Sequence, residues 1–341
     1  MAKRLAKGGI AAKLTRIAAN ALEPMPKSGQ TGRVPSQNEI LDRVRALTPG
    51  FAGRARAAED ARRLPDESVA EMVAAGLPRI LIPRSRGGYG HRLETWFEAV
   101  REISKADASH GWCASLMVHH PHYLSQCTAE AQDAVWAEGP DAVIGASFAP
   151  TAEIVPANGG FLVSGRSAFT SGIAHSGWVF IGGLDPTCDP AEWSFFLVPP
   201  GSYDVEDTWF TAGMRATGSN TVVTDRVFVP ASYTVRLSDM REGKGPGAKL
   251  HDGAIYRAPF IAYAPITFVT PMLGAAQGAY EHFRDWTRSR TGVRGNAVAA
   301  FTSIQVRLWI VAGDEIVLKF PVIQFLANPK VTEVVTISRI T

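Results

Sequence analysis

Two hydroxyl side chains beside a glycine are the strongest candidates for chemistry in this sequence. Thr170 and Ser171 stand between Phe169 and Gly172. The apolar residues 178–181 that follow have the composition of a β-strand. Short hydroxyl side chains and a backbone freed by glycine suit a flat ligand whose polar edge lies against a sheet. The alternative is an ordinary turn serine that bonds to its own backbone.

Three imidazoles crowd one apolar stretch, at His119, His120 and His122. Buried imidazoles are costly unless each has a hydrogen-bond partner. The spacing does not suit zinc, because helical ligands lie at positions i and i+4 and no carboxylate or cysteine completes a set. Two interpretations stay open: a core histidine bonded to a backbone carbonyl, or a base or hydrogen-bond partner of a bound substrate.

The composition is that of a soluble globular protein without a nucleic-acid surface. The 341 residues are 46% hydrophobic and 20% charged, with a formal net charge of +3. Much of the positive excess lies in the first 35 residues, which we interpret as a disordered extension or an organelle address. No basic stripe with interleaved aromatic residues is present. No segment approaches the ~18 apolar residues of a membrane span, so we expect no membrane partner.

The three cysteines point to a reducing compartment. They are odd in number and lack the C-x-x-C spacing: Cys113, Cys127 and Cys188. We therefore expect neither a disulfide framework nor a zinc site, and a cytoplasmic location.

The elements that must position these residues follow the order helix, strand, helix. Ser36 with Glu39 three residues later predicts a capping box at the start of the first helix, and Gly76 predicts the end of the second. Further helices are predicted near 93–105, 109–125 and 266–286, the last with small residues that let helices approach closely. Gly159-Gly160 predicts a hairpin between strands, and further strands are predicted at 195–199, 221–223 and 227–230.

Several short motifs along the chain together resemble a known family. In chain order they are Arg63-Leu64-Pro65, Gly87-Gly88-Tyr89-Gly90, Asp107-Ala108-Ser109-His110-Gly111-Trp112, Ala146-Ser147-Phe148-Ala149-Pro150, Phe169-Thr170-Ser171-Gly172, Gly213-Met214-Arg215-Ala216-Thr217-Gly218-Ser219 and Tyr256-Arg257-Ala258-Pro259. The sequence resembles the acyl-CoA dehydrogenase fold, in the branch of flavin-dependent monooxygenases that hydroxylate phenols. These are the oxygenase components of two-component enzymes of the p-hydroxyphenylacetate hydroxylase and secosteroid phenol hydroxylase type.

The resemblance implies an α+β fold in three parts and a division of the chain. The parts would be an N-terminal helical domain, a central β-barrel or sandwich, and a C-terminal helical bundle. We assign residues 1–35 to the extension, 36–140 to the helical domain, 141–240 to the β domain and 241–308 to the start of the bundle. Residues 309–341 do not continue the family pattern, which we interpret as a frameshift or truncation that leaves the bundle incomplete. Such an apolar tail is expected to aggregate.

The resemblance also implies an activity, a cofactor and partners. Reduced flavin (FMN or FAD), supplied by a separate NAD(P)H-dependent flavin reductase, would react with O2 to give a C4a-hydroperoxyflavin. That species would hydroxylate a small aromatic substrate. The family's assembly implies a homotetramer where the bundle is intact.

Site roles carry over residue by residue from the same resemblance. Ser171 would hydrogen-bond flavin N5, Phe169 and Thr170 would line the same flavin face, and Trp112 would close the pocket. Ser147 would contact the substrate or the flavin. His120, with His119 as the alternative, would act on the phenol hydroxyl. Arg288 and Arg290 would bind the flavin phosphate, for which a guanidinium fork is well suited.

Two other functions compete with the oxygenase. A true acyl-CoA dehydrogenase with bound FAD would carry a threonine-glutamate-proline motif where this chain has Phe148-Ala149-Pro150, and this difference favours the oxygenase. A catalytically dead remnant is the third possibility, because the family places another substrate-facing histidine in the segment that this chain lacks.

Overall fold

The computed structural model describes residues 33–292, 297–298, 315–317 and 336–338. The chain divides into two compact units, Met1–Ala275 and Ala276–Thr341. The predictions for the basic N-terminal residues 1–32 and for most of the tail 309–341 lie outside the described residues. The predicted domain boundaries stay predictions.

The first two helices begin and end as their sequences predict. Helix α1 spans Gln37–Ala61. The Ser36 hydroxyl accepts from the backbone N–H of Glu39 at 3.3 Å, and the Glu39 carboxylate accepts from the backbone N–H of Ser36 at 2.7 Å, which confirms the capping box. Helix α2 spans Asp66–Ala75 and ends at Gly76 with a φ of 93°, a left-handed conformation that favours glycine.

Three more helices complete the N-terminal part: α3 (Leu93–Ala106), α4 (Ala108–Leu124) and α5 (Ala129–Val135). Helix α4 is apolar around most of its circumference, and most of its side chains are buried, as predicted. A Cβ at Gly111 of α4 would lie 1.8 Å from the Ser104 Oγ of α3. The two helices therefore pack so closely that a side chain larger than that of glycine at position 111 would clash with α3.

Seven strands form one sheet that follows the helices. They are β1 (Ile144–Ala157), β2 (Gly160–Thr170), β3 (Trp178–Asp185), β4 (Glu192–Val198), β5 (Asp204–Glu206), β6 (Asn220–Pro230) and β7 (Thr234–Arg236). Their order across the sheet is β5-β6-β2-β1-β3-β4-β7. Ala157 pairs with Gly160, which confirms the predicted hairpin, and Thr170 pairs with Asn220. The second pair sets the end of β2 beside the start of β6.

Helices return after the sheet. They are α6 (Leu237–Arg241), α7 (Phe260–Tyr263) and α8 (Ile266–Ser289), and a short pair of antiparallel strands, β8 (Glu315–Val317) and β9 (Thr336–Ser338), lies in the second unit. Short 3-10 helices span Leu77–Arg79, Arg84–Arg86, Ile173–His175, Arg215–Thr217, Ala231–Tyr233, Pro246–Lys249 and Ala254–Arg257. A Cβ at Gly274 would lie 2.5 Å from Ser104 Cβ. The expectation that small residues in α8 allow close helix packing is therefore confirmed at Gly274.

One helical stretch, Phe260–Ser289, is long and apolar enough to cross a membrane by length and composition. The sequence-based expectation that no segment approaches such a span was wrong by this criterion. Core helices of soluble proteins pass the same test. Tyr263, Thr267 and Thr270 in this stretch are buried, and the Thr267 carbonyl accepts from the Ser115 hydroxyl at 3.0 Å, as in a helix packed against protein.

Candidate active site

The Ser171 hydroxyl lies where three parts of the chain meet. Ser171 directly follows β2, and Gly172 makes the turn with a φ of 70°. The indole Nε1 of Trp112, on α4, donates to Ser171 Oγ at 3.1 Å. Ser219 Oγ, just before β6, lies 2.7 Å from Ser171 Oγ. The Ser171 side chain is therefore held by distant residues, unlike a turn serine that bonds to its own backbone.

A chain of hydroxyl groups leads from Ser171 into the protein. Ser219 Oγ lies 2.7 Å from Thr217 Oγ1, and the Thr217 hydroxyl also donates to the Met214 carbonyl at 2.8 Å. Thr217 and Ser219 are buried, whereas Ser171 is half-buried. Sequence reasoning assigned no role to Thr217 or Ser219. The only signal was their place in a family motif, since 48 residues separate Ser219 from Ser171.

The Glu59 carboxylate fixes the segment that carries these hydroxyls. Its two oxygens accept from the backbone N–H groups of Arg215 and Ala216 at 3.1 and 3.0 Å, and the Ser109 hydroxyl donates to it at 2.7 Å. Sequence analysis also missed this residue. A carboxylate bonded to two backbone N–H groups orders the turn before β6 much as a capping residue orders a helix start.

Two exposed aromatic side chains lie near the Ser171–Trp112 pair. The exposed aromatic patch consists of Phe169, two residues before Ser171, and Phe268, which are 72% and 48% exposed. Phe169 has a φ of 61°, which is strained for a bulky residue, and its ring meets that of Trp209 edge-on at 6.1 Å. Trp112 packs against Phe268 at 5.6 Å.

These features fit a flavin ring in shape and chemistry. The isoalloxazine system has two apolar faces and a polar edge, and the site offers exposed aromatic rings beside a hydroxyl. The small pocket beside Ser171 does not fit it. Lined by Ser171, Gly172, Cys113 and His175, it measures about 20 Å³, which is room for one water molecule. A flat ligand would therefore lie outside this pocket.

His120 is held in one tautomer. Its Nδ1 lies 2.7 Å from the Ile144 carbonyl at the start of β1. Because a carbonyl only accepts, Nδ1 carries the proton and Nε2 keeps its lone pair. Burial lowers the pKa of His120 to about 4, so the imidazole is neutral at pH 7. This contact matches the core-histidine interpretation and also leaves Nε2 as a hydrogen-bond acceptor.

His119 lies in a different environment. Its Nδ1 bonds to the Thr267 hydroxyl, and its ring packs 4.8 Å from Trp96 and 4.4 Å from Tyr123. Burial lowers its pKa well below the ordinary range, and its Nε2 has no hydrogen-bond partner in the described part of the chain. Its proposed role as the alternative base stays a prediction.

Ser147 and Thr170 are buried and bonded to the backbone of the β1–β2 region. Ser147 Oγ donates to the Ala168 carbonyl at 2.8 Å, and Thr170 Oγ1 donates to the Ser167 carbonyl at 3.3 Å. Their hydroxyl protons are therefore used within the sheet. Their contacts with flavin or substrate stay predictions.

Arg288 and Arg290 belong to the second unit. Arg288 lies 3.8 Å from the Asp285 carboxylate, and the Arg290 guanidinium lies 4.7 Å from the centre of the Trp286 ring. Their role as phosphate ligands stays a prediction. Among the described residues, no group of three or more histidine, cysteine or acidic side chains could hold a metal ion.

Comparisons with known proteins agree with the fold. Residues 35–139 match the family model described as acyl-CoA dehydrogenase, N-terminal domain. The chain is 35% identical over 242 residues to the flavin-dependent monooxygenase oxygenase subunit HsaA of Mycobacterium tuberculosis, covering 71% of this chain and 61% of that protein. It is 32% identical over 295 residues to the oxygenase component of an FADH2-dependent resorcinol hydroxylase from Rhizobium sp., covering 84% of this chain and 72% of that protein.

A solved structure of a relative has the same fold as this chain. The crystal structure of the HsaA monooxygenase from M. tuberculosis superposes with a TM-score of 0.75 at 32% identity, covering 82% of this chain and 72% of that one. The chain spans about 61% of the length of the HsaA sequence that it matches. The predicted acyl-CoA dehydrogenase-like α+β fold is confirmed. The chain belongs to the flavin-dependent monooxygenases of the acyl-CoA dehydrogenase fold.

Proposed function

We propose that this chain is the oxygenase component of a two-component monooxygenase that uses reduced flavin and O2 to hydroxylate a phenol. The observation that carries the proposal is the Ser171 hydroxyl, fixed between Trp112 and Ser219, with Phe169 of the exposed aromatic patch two residues away. Relatives named as a flavin-dependent monooxygenase and an FADH2-dependent resorcinol hydroxylase support it. When bound, the flavin supplies the activation of O2, and the protein supplies position, hydrogen bonds and protection from water.

Ser171 and its neighbours would hold the flavin ring. The Ser171 hydroxyl would bond to N5, and the rings of Phe169 and Trp112 would pack against the apolar ring system. Trp112 Nε1 is already bonded to Ser171, so the indole also keeps the serine in place. FMN and FAD share this ring system, so these contacts serve either cofactor.

His120 would act on the substrate hydroxyl. Its Nε2 lone pair would accept a hydrogen bond from the phenol hydroxyl while Nδ1 stays bonded to the Ile144 carbonyl. Drawing the proton toward Nε2 gives the phenol oxygen phenolate character, which raises the electron density at the ortho carbon. Because the pKa of His120 is about 4, the neutral form that does this persists well below neutral pH.

The function implies partners and a location. A separate reductase supplies the reduced flavin, because the family to which this chain belongs includes proteins named as oxygenase subunits or components. We propose a homotetramer and a cytoplasmic location. The free thiols of Cys113, Cys127 and Cys188 are compatible with a reducing compartment.

The test is incorporation of labelled oxygen. The purified chain is mixed with photoreduced FMN or FAD and a panel of monohydric and dihydric phenols, and ¹⁸O2 is then admitted. We expect at least one phenol to gain one ¹⁸O atom ortho to its hydroxyl, with the second atom of that O2 released as water. Turnovers that do not hydroxylate release both atoms as peroxide. Peroxide as the sole product with every phenol would contradict the proposed function.

A further inference from the structure

The hydroxyl chain that ends at Ser171 has one proton arrangement that satisfies every contact. Four hydrogen bonds link Trp112, Ser171, Ser219, Thr217 and the Met214 carbonyl, over 3.1, 2.7, 2.7 and 2.8 Å. Four protons are available for them: one on the indole nitrogen and one on each of the three hydroxyls. Each bond therefore takes one proton, and the directions can be read from the two ends.

The two ends of the chain fix those directions. The Met214 carbonyl only accepts, so Thr217 donates to it and must accept from Ser219. Because Ser219 has given its proton to Thr217, it accepts from Ser171. The Trp112 indole only donates, so Ser171 accepts from it. The Ser171 proton is thus directed inward, and one lone pair on its oxygen has no partner among the described residues.

The opposite arrangement is less favourable. If Thr217 donated to Ser219 and Ser219 donated to Ser171, the Ser171 proton would turn outward. That state forfeits the bond from the Thr217 hydroxyl to the Met214 carbonyl. The surrounding segment holds this geometry in place, because Glu59 binds the N–H groups of Arg215 and Ala216 and the Gly172 N–H donates to the Thr217 carbonyl at 2.8 Å.

We infer that Thr217 and Ser219 act as positioning residues that make Ser171 a hydrogen-bond acceptor toward its ligand, so that the site selects flavin whose N5 carries hydrogen. The inference rests on the proposed function, in which Ser171 faces N5. Reduced flavin has an N5–H that donates to the lone pair on Ser171. In oxidised flavin N5 carries no hydrogen and is itself an acceptor. It therefore either faces the Ser171 lone pair with no hydrogen bond between them, or bonds to Ser171 only after the protons of the hydroxyl chain have reversed direction.

The test compares affinities for the two redox states of one cofactor. Binding of oxidised and of anaerobically reduced FMN and FAD is measured by equilibrium titration, and the readout is the ratio of the two dissociation constants. One hydrogen bond corresponds to a ratio on the order of tenfold. This ratio equals a shift of about 30 mV in the two-electron potential of bound flavin, which redox titration measures independently.

Variants separate proton direction from general packing. Ser219→Ala leaves the Ser171 proton without its inward acceptor, and Thr217→Val removes the bond that fixes the direction. Both are expected to lose most of the preference for reduced flavin. Thr217→Ser keeps the hydroxyl, and Trp112→Phe removes only a donor to Ser171. These two variants are expected to keep the ratio of the unaltered chain even where both affinities weaken.

The outcomes distinguish this inference from the function on which it rests. If Ser219→Ala and Thr217→Val bind flavin with the unaltered ratio, the inference is wrong and the proposed function stands. If the unaltered chain binds flavin in neither redox state, both fail. If Trp112→Phe loses the preference as completely as Ser219→Ala does, the ratio reports packing rather than proton direction, and the inference is again wrong.

Discussion

At the scale of single residues, the proposed reaction depends on His120 as well as on Ser171. We predict that His120→Asn lowers the hydroxylation rate by on the order of 100-fold and diverts oxygen to peroxide, because no imidazole accepts the phenol proton. The measurement is the ratio of hydroxylated product to peroxide with a phenol that the unaltered chain accepts. His119→Asn is the paired variant, since His119 bonds to Thr267 instead of a β1 carbonyl. Loss of coupling in His119→Asn alone would assign the role to His119.

Single residues also show how far sequence reasoning reaches. The resemblance assigned Ser171 and Trp112 to the same flavin site, and a hydrogen bond of 3.1 Å joins them, while their contacts with flavin stay predictions. Ser219, Thr217 and Glu59 were missed. Ser219 contacts Ser171 across 48 positions of the sequence and Glu59 contacts Ala216 across 157, and local patterns carry no information on such pairs.

At the scale of helices, the packing of α3 against α4 depends on a missing side chain. We predict that Gly111→Ala destabilises the protein by about 1–3 kcal/mol, because the new Cβ would meet Ser104 Oγ at 1.8 Å and the helices must move apart. Gly53→Ala is the control. Gly53 lies inside α1 with no atom within 4 Å of a new Cβ, so alanine should stabilise by about 0.5–1 kcal/mol. Urea unfolding of both variants measures the difference, and equal effects would refute the packing argument.

The elements themselves were largely predictable, while their arrangement was not. The structure confirms three local signals: the capping box at Ser36, the helix end at Gly76 and the hairpin turn at Gly159-Gly160. The sheet order places β1 between β2 and β3, with β1 and β3 parallel. Strand periodicity gives no such order. The predicted stretches 221–223 and 227–230 are parts of one strand, β6, which pairs with β2 on both sides of an irregularity between Thr224 and Val227.

At the scale of the whole molecule, three buried neutral histidines make stability depend on pH. Burial lowers the pKa of His120 to about 4 and that of His122 to about 3, and lowers that of His119 well below 6.5. In the unfolded chain each imidazole regains a value near 6.5. Below that pH the unfolded state therefore binds more protons, and the free energy of unfolding falls as pH falls.

We predict a loss of roughly 1.4 kcal/mol for each of these histidines between pH 7.5 and 5.5, or about 4 kcal/mol in total. Urea unfolding at the two pH values measures it. His122→Gln should reduce the loss by about one third, whatever its effect on stability at pH 7.5. A free energy of unfolding that stays constant over this range would show that the histidines are not buried in their neutral form.

The central claim is that this chain binds reduced flavin at Ser171. The most direct measurement is an anaerobic titration of the unaltered chain, Ser171→Ala and Ser232→Ala with reduced FMN and FAD. Ser232 is the control, since it follows Pro230 at the opposite end of β6 from Ser219. We predict saturable binding by the unaltered chain and by Ser232→Ala, and affinity weaker by on the order of tenfold in Ser171→Ala. Absence of saturable binding, or equal affinity in all three proteins, would contradict the account.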